Sequence, residues 1–546
     1  MNTIINLFLR EKKAVLTGIG LGISSGLLSF AFLTFLNYMI GQVLGEVYTQ
    51  VNWLLVIAFA AIILLFIWAR RELAYHIIRY SQNLFWKLRV EVLSVILRAD
   101  YSQMQEQRGR IHSALVSDIN VLTQAALSII DFITSAVIVI ACFSYMWWLS
   151  WELFLITLLT TLLGMGVYQL GAGRNARNFE QSRNLEDGFM HYFTAIVNGF
   201  KEIHLNPLKG EAILQRKITP ISKHAFRTNA DAFVGYLNNQ ITGQILFYSL
   251  ISAILLIGSI MIEIETITTI NFLFILLYLL GAIETLMILL PGLVRGQISI
   301  NRLNTLKEDL AKEEYKNSID KEKPAIADFE NISIKGLQFK YTGKEQFGIG
   351  PIDFDLRKQE IAFVYGGNGS GKTTFIHALL GLLQPEEGSI SFNGQELNGE
   401  TYSRYKALFA VVFNDFYLFD EFFGNEDFDK EKALKYLKLF EMEDKVEMTD
   451  AGFSTTDLST GQRKRLALIA ALLEERPVLV LDEWAGDQDP YFRKKFYTEI
   501  LPTIKADGFT ILAITHDDKY YDHSDSIYKM EYGALLKEEP NAAVAE

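Results

Sequence analysis

The stretch YGGNGSGKTT, Tyr365–Thr374, decides how the C-terminal half of the chain folds. It follows the apolar run Ile361–Val364 and precedes TTFIHALLGLL, Thr373–Leu383. Gly366, Gly371, Lys372 and Thr373 fit G-x-x-x-x-G-K-[ST] in the order strand, loop, helix. Glycines let backbone N–H groups close around phosphate oxygens, and the helix N-terminus adds partial positive charge. The loop Gly366, Gly367, Asn368, Gly369, Ser370, Gly371, with Lys372, Thr373 and Thr374, is therefore expected to cradle the phosphates of ATP. Lys372 would reach the β- and γ-phosphates, and Thr373 would ligate Mg²⁺.

A second stretch, VLVLDEWAGDQDP at Val478–Pro490, raises a charge problem. Adjacent acids at the end of an apolar strand repel unless something positive sits on them. The phosphate loop supplies that partner through Mg²⁺ and Lys372. Asp482 is expected to hold the ion, directly or through water, and Glu483 to polarise the attacking water as general base.

The chain's 546 residues exceed what one hydrophobic core supports, so two or more domains are expected. Half of the residues are hydrophobic, yet nearly all long apolar runs lie before about residue 295. The single cysteine, Cys142, rules out an intramolecular disulfide, and the net charge of -12 argues against a nucleic-acid surface.

A helix needs about 20 apolar residues to cross a bilayer. Six candidate spans run at roughly 15–40, 53–68, 127–147, 151–170, 245–262 and 270–293, with Trp53, Trp68, Trp147, Trp148 and Trp151 near their ends. The run 15–40 is too long for a signal peptide's apolar core and reads as a retained span. The short connections 41–52, Ser150–Glu152 and 263–269 carry no Lys or Arg, whereas 70–124 and 174–227 are rich in Arg. Both termini are therefore expected on the cytoplasmic side. The two long inner connections read as spans continuing into the cytoplasm as helices, or else as amphipathic helices on the lipid surface. Their turns, near 99–108 and 196–205, are candidates to touch a cytoplasmic domain. From about residue 329 onward, strands alternate with helices, which implies an α/β domain.

LSTGQRKRLALIAALL at Leu458–Leu473 resembles the LSGGQ signature of ABC ATPases, with Thr460 in place of a glycine. Asp489 falls at the D-loop position, His516 in AITHDD at the switch position, and Tyr341 in LQFKY at the aromatic position that stacks on adenine. Such an aromatic is otherwise ordinary core. Six spans ahead of one such domain resemble an ABC half-exporter. DEWAGDQDP and VVFNDFYLFD (Val411–Asp420) look like the bacterial subgroup that exports cyclic peptides and siderophore precursors. A further departure from the family pattern bears on the metal site. Asn414 stands where a glutamine is usual, and its shorter amide reaches Mg²⁺ directly or only through a further water.

The resemblance implies a six-helix transmembrane domain of the type I ABC exporter kind, residues 1–310. A linker, 311–328, and an α/β P-loop nucleotide-binding domain, 329–546, follow. It implies a homodimer in the bacterial inner membrane in which Ser459, Gly461 and Gln462 of one copy, with Asp489, complete the ATP site of the other. The expected cargo is a small peptide or siderophore precursor; a lipid flippase and an ATP-gated channel or membrane sensor are the rival readings. Glu284, in LLGAIETLMILL near the middle of the sixth span, stands out. A carboxylate there is costly, so it either lines the transport cavity or hydrogen-bonds to a neighbouring helix.

Overall fold

The computed structural model describes residues 12–44, 53–258, 266–311, 328–341, 347–398 and 401–538. The linker expected at 311–328 lies, apart from its first and last residues, outside them, as do much of the short connections 41–52 and 263–269. Two compact units divide the chain: Met1–Ala99 with Gln103–Glu313, and Asp100–Ser102 with Glu314–Glu546.

The first unit is helical. Among the described residues its six long helices are α1 (Lys12–Leu44), α2 (Trp53–Ile96), α3 (Ile119–Leu149), α4 (Trp151–Asn198), α5 (Thr219–Ala253) and α6 (Thr266–Ala311). Among the described residues, five helices are long and apolar enough to cross a membrane, and Trp151–Val167 is a shorter apolar helix segment. That segment is the start of α4, which runs on without a break as a 48-residue helix. Its first turn is set by Ser150, whose hydroxyl accepts from the Leu153 amide at 3.4 Å.

Outward-facing leucines, isoleucines and tryptophans stay exposed along these helices, among them Leu64, Ile67, Leu159, Trp147, Trp148 and Trp151. A surface that apolar suits lipid rather than water. The long inner connections are helical: α2 reaches Ile96, Tyr101–Ser113 leads through a π-turn into α3, and α4 reaches Asn198.

Polar side chains tie the far ends of these helices together. Asp118, just before α3, is buried. Its Oδ1 accepts from Arg183 of α4 at 2.8 Å and from the Ser299 hydroxyl of α6 at 3.0 Å. Arg302 of α6 pairs with Asp187 of α4, which also accepts from Ser113 at 3.0 Å. Lys307 of α6 bridges to Glu91 of α2 at 2.7 Å. Within the membrane stretch, Glu284 of α6 accepts from the Gln244 amide of α5 at 2.6 Å.

The second unit is α/β. Strands β1 (Asn331–Lys340), β2 (Gly348–Arg357), β4 (Glu387–Phe392) and β5 (Gln395–Glu396) form an antiparallel sheet in the order β2-β1-β4-β5. A six-stranded sheet has the order β10-β9-β3-β8-β7-β6. In it β3 (Ile361–Tyr365), β6 (Phe409–Val412), β7 (Val478–Asp482), β8 (Thr510–Ile514) and β9 (Ser526–Glu531) run parallel, and β10 (Ala534–Glu538) closes the edge antiparallel. Strands β7 and β8 are buried along their whole length, as the apolar runs Val478–Leu481 and Ile511–Ile514 require when both sheet faces are covered. The parallel order brings the C-terminal ends of β3, β7 and β8 side by side, where ligands bind in open α/β sheets.

Candidate functional site

The phosphate loop leaves β3 at Tyr365 and enters helix α7 (Lys372–Leu379). Gly366 has φ +151, and a Cβ there would lie 2.1 Å from the Met530 carbonyl oxygen, so no side chain fits. Gly371, the residue before the helix, has φ +113, in the region glycine favours. The backbone thus turns tightly enough to present amides at a helix N-terminus. Lys372 is buried, and its ammonium lies back across the loop, 2.9 Å from the Gly366 carbonyl and 3.1 Å from that of Gly367. Burial lowers its pKa, and nearby Glu483 and Asp482 oppose that shift. Ser370 Oγ is buried without a hydrogen-bond partner. Thr373 is exposed, whereas Thr374 is buried.

Asp482 ends β7, pairs in register with Ile514 of β8, and is 3% exposed. Its Oδ1 has no hydrogen-bond partner, and burial, reinforced by the neighbouring Glu483 charge, pushes its pKa up to about 6. A buried carboxylate oxygen left bare beside a phosphate loop suits a hard divalent cation. Thr373 and Asp482 are the residues that could hold one. No group of three or more His, Cys, Asp or Glu suited to a metal occurs among the described residues. An ion held largely by phosphate oxygens needs none.

Glu483 adopts the left-handed conformation, φ 50, which re-aims its side chain away from the strand. The carboxylate stands 4.0 Å from Lys372 Nζ. His516, just past β8, meets Oε1 at 3.1 Å, and Asn414, just past β6, donates its amide to Oε2 at 3.4 Å. Three segments far apart in sequence thus converge on one carboxylate.

Asn414, the third residue expected at the metal, contacts two side chains of the site. Its amide oxygen accepts from Lys464 at 3.2 Å, and its NH₂ faces Glu483. The amide thus links the Lys464 ammonium to the Glu483 carboxylate.

Ser459 caps α8 (Thr460–Leu473) in a capping box with Gln462, whose Oε1 accepts from the Ser459 amide at 3.3 Å. Gly461 lies against the turn after Glu483; a Cβ there would be 2.9 Å from the Asp487 carbonyl oxygen. The hydrogen bonds of Ser459 and Gly461 run to Gln462 and Gln488, not to the phosphate loop. Asp489 caps the next helix through the Phe492 amide at 3.0 Å and pairs with Arg465 at 3.2 Å. Tyr341 is 42% exposed, with its hydroxyl 3.5 Å from Thr374 Oγ1 beside the phosphate loop.

The family is now decided by two regions of the chain. Residues 349–486 match the ABC transporter family, and residues 15–286 match the ABC transporter transmembrane region. The chain is an ABC exporter half-transporter. Its ABC domain couples ATP hydrolysis to transport. The ATP-binding protein SyrD of Pseudomonas syringae pv. syringae is 29% identical over 95% of this chain and 93% of its own length. An ATP-dependent lipid A-core flippase of Aliivibrio fischeri is 23% identical over 84% of this chain and 80% of its own. A solved bacterial Atm1-family ABC exporter with ATP bound shares the fold, with a TM-score of 0.79 at 14% identity, covering 96% of this chain and 94% of that one.

Lys464, Trp484 and Asp487 of this exporter also belong to the site, though no motif in the sequence marks them. One signal was available: Lys464, Leu468 and Leu472 recur at a spacing of four, one face of a helix, and that face is buried. The neighbouring Arg463 and Arg465 hid which of three consecutive cations points inward.

Proposed function

We propose that this half-transporter works as a homodimer that exports a small cyclic or otherwise modified peptide, or a siderophore precursor, across the bacterial inner membrane. The observation that carries the ATP-driven part is the convergence of Lys372, His516 and Asn414 on Glu483, beside the unpartnered Oδ1 of Asp482. Lys372 and the amides of 366–371 hold the phosphates, and Tyr341 offers its ring to the base. Thr373 and Asp482 would hold Mg²⁺, which when bound neutralises charge on the phosphate oxygens. Glu483 takes a proton from the attacking water, and His516 orients the carboxylate through Oε1. Because Ser459 and Gly461 make no bond to the phosphate loop of their own chain, they are available to cap the nucleotide of a second copy. Binding ATP between two copies favours the closed state by as much as its affinity for that state exceeds its affinity for the open one.

The cargo reading is supported by the subgroup resemblance of DEWAGDQDP and VVFNDFYLFD. The polar Glu284–Gln244 pair also offers a hydrogen-bonding wall inside an otherwise apolar helix stretch. A second reading, lipid translocation, is favoured by the similarity to a lipid A-core flippase. Both cytoplasmic termini follow from the Arg-rich inner connections. Transport into inverted proteoliposomes decides between the readings. ATP-dependent uptake of a labelled peptide-siderophore precursor, with no flipping of labelled lipid, is expected. Lipid flipping without peptide uptake would install the flippase reading, and ion conductance in planar bilayers would install the channel.

A further inference from the structure

Lys464 is 1% exposed, and a buried ammonium is costly unless its three protons find acceptors. It finds three: Asp487 Oδ2 at 2.6 Å, Asn414 Oδ1 at 3.2 Å and the Glu483 carbonyl at 3.2 Å. The connection also runs the other way. Trp484, next to Glu483, donates its indole N–H to the Lys464 carbonyl at 2.8 Å. The indole is buried against Phe496, ring centroids 4.4 Å apart. Helix α8 and the segment after β7 are thus bonded in both directions at one residue.

Two consequences reach the carboxylate. Glu483 holds a left-handed backbone, φ 50, that a residue with a Cβ adopts at some cost, and Lys464 grips its carbonyl there. An amide has one accepting end and one donating end. With the Asn414 oxygen bound to Lys464, its NH₂ is left to face Glu483 Oε2. We propose that Lys464 is a positioning residue for ATP hydrolysis, fixing the backbone of Glu483 and the amide of Asn414 from behind the site. The same helix begins at Ser459 and Gly461, so the element that caps a second copy's nucleotide is also the buttress of its own chain's water-activating carboxylate. This rests on the reading of Glu483 as general base.

The test uses the purified full-length homodimer and separates turnover from binding. Lys464→Met keeps length and removes the charge and the donors. We expect kcat for ATP to fall about 10- to 100-fold, the range for losing a hydrogen bond to a charged group. ATP affinity should stay within about threefold, as the phosphate loop is untouched. Lys464→Gln retains a donor and should recover part of the loss. In the double variant with Asn414→Ala, kcat should be no lower than in the worse single variant, because both act through one carboxylate. Near-normal kcat in Lys464→Met, multiplicative losses in the double variant, or turnover and affinity falling together with thermal stability would each overturn the proposal. If Lys464→Met does not fold, Lys464→Gln decides: at least half of the parent kcat overturns it, and a selective loss of kcat supports it. Glu483→Gln separates the two layers. If that variant turns over normally, the base assignment fails; if it is inactive while Lys464→Met is normal, only the present inference fails.

Discussion

Replacing Glu483 with glutamine removes a base while leaving its surroundings able to adapt. In the protein, Oε1 meets His516 at 3.1 Å and Oε2 accepts from Asn414 at 3.4 Å. A glutamine that gives its oxygen to Asn414 and its NH₂ to the imidazole nitrogen keeps both contacts, so folding should be unaffected. What is lost is basicity. Loss of a general base costs about 10²–10⁴ in rate, or about 3–5 kcal/mol of barrier. ATP binding should hold or tighten. The carboxylate sits 4.0 Å from Lys372 Nζ and competes with phosphate for it. A pair at that separation is worth about 1 kcal/mol in water and about 4 kcal/mol near a protein surface. Glu483 is partly exposed, so the lower figure applies, a gain of up to about fivefold in affinity. Phosphate release gives kcat, a fluorescent nucleotide gives Kd, and size-exclusion chromatography with ATP shows whether closed dimers accumulate. ATPase within threefold of the parent protein, or ATP affinity lost in step with turnover, would refute the reasoning.

Lys372→Ala should weaken ATP binding itself, by about tenfold or more, since the phosphates lose their fixed cation; unchanged affinity with reduced turnover in the same binding assay would confine Lys372 to the transition state. Asn414→Gln should be tolerated, and Asn414→Ala should lower kcat for ATP, and transport with it, more than it lowers nucleotide affinity; normal turnover and transport in proteoliposomes would make the position a spacer. Asp482 has its pKa raised to about 6, above its ordinary carboxylate value of 3.8, so the folded nucleotide-free protein binds a proton more readily than the unfolded chain. Stability should therefore rise as pH falls from above 6 toward 4, while Mg²⁺-dependent ATP binding weakens through about pH 6; a pH series of thermal melts and of nucleotide affinity, each with and without Mg²⁺, checks both signs. Asp118→Ala takes from Arg183 one of its two carboxylate partners, leaving Glu186, and should destabilise the helical unit by about 1.5–3 kcal/mol, the range for a hydrogen bond to a charged group, read from thermal melting in detergent. Glu284→Ala should reduce cargo-stimulated ATPase and export while basal ATPase persists; normal export would leave Glu284 as a packing partner of Gln244.

Composition and local order determined much of this protein. Apolar runs long enough for a bilayer mark the helical half, because lipid forces backbone groups to bond within a helix. The phosphate loop is legible because its chemistry lies in ten consecutive residues between one strand and one helix. The adjacent acids Asp482 and Glu483 are legible because a charge pair at a strand end demands a partner. What only the tertiary structure decided is the company those residues keep. The sheet order β3-β8-β7-β6 brings His516 and Asn414 to Glu483 across sequence separations that no periodicity encodes. Which of Arg463, Lys464 and Arg465 points inward depends on the phase of α8 against β7, and that phase is fixed by packing around Trp484. Asn414 gives its oxygen to Lys464 for the same reason: an amide's direction is set by the strongest donor within reach, and that donor arrives from another part of the chain.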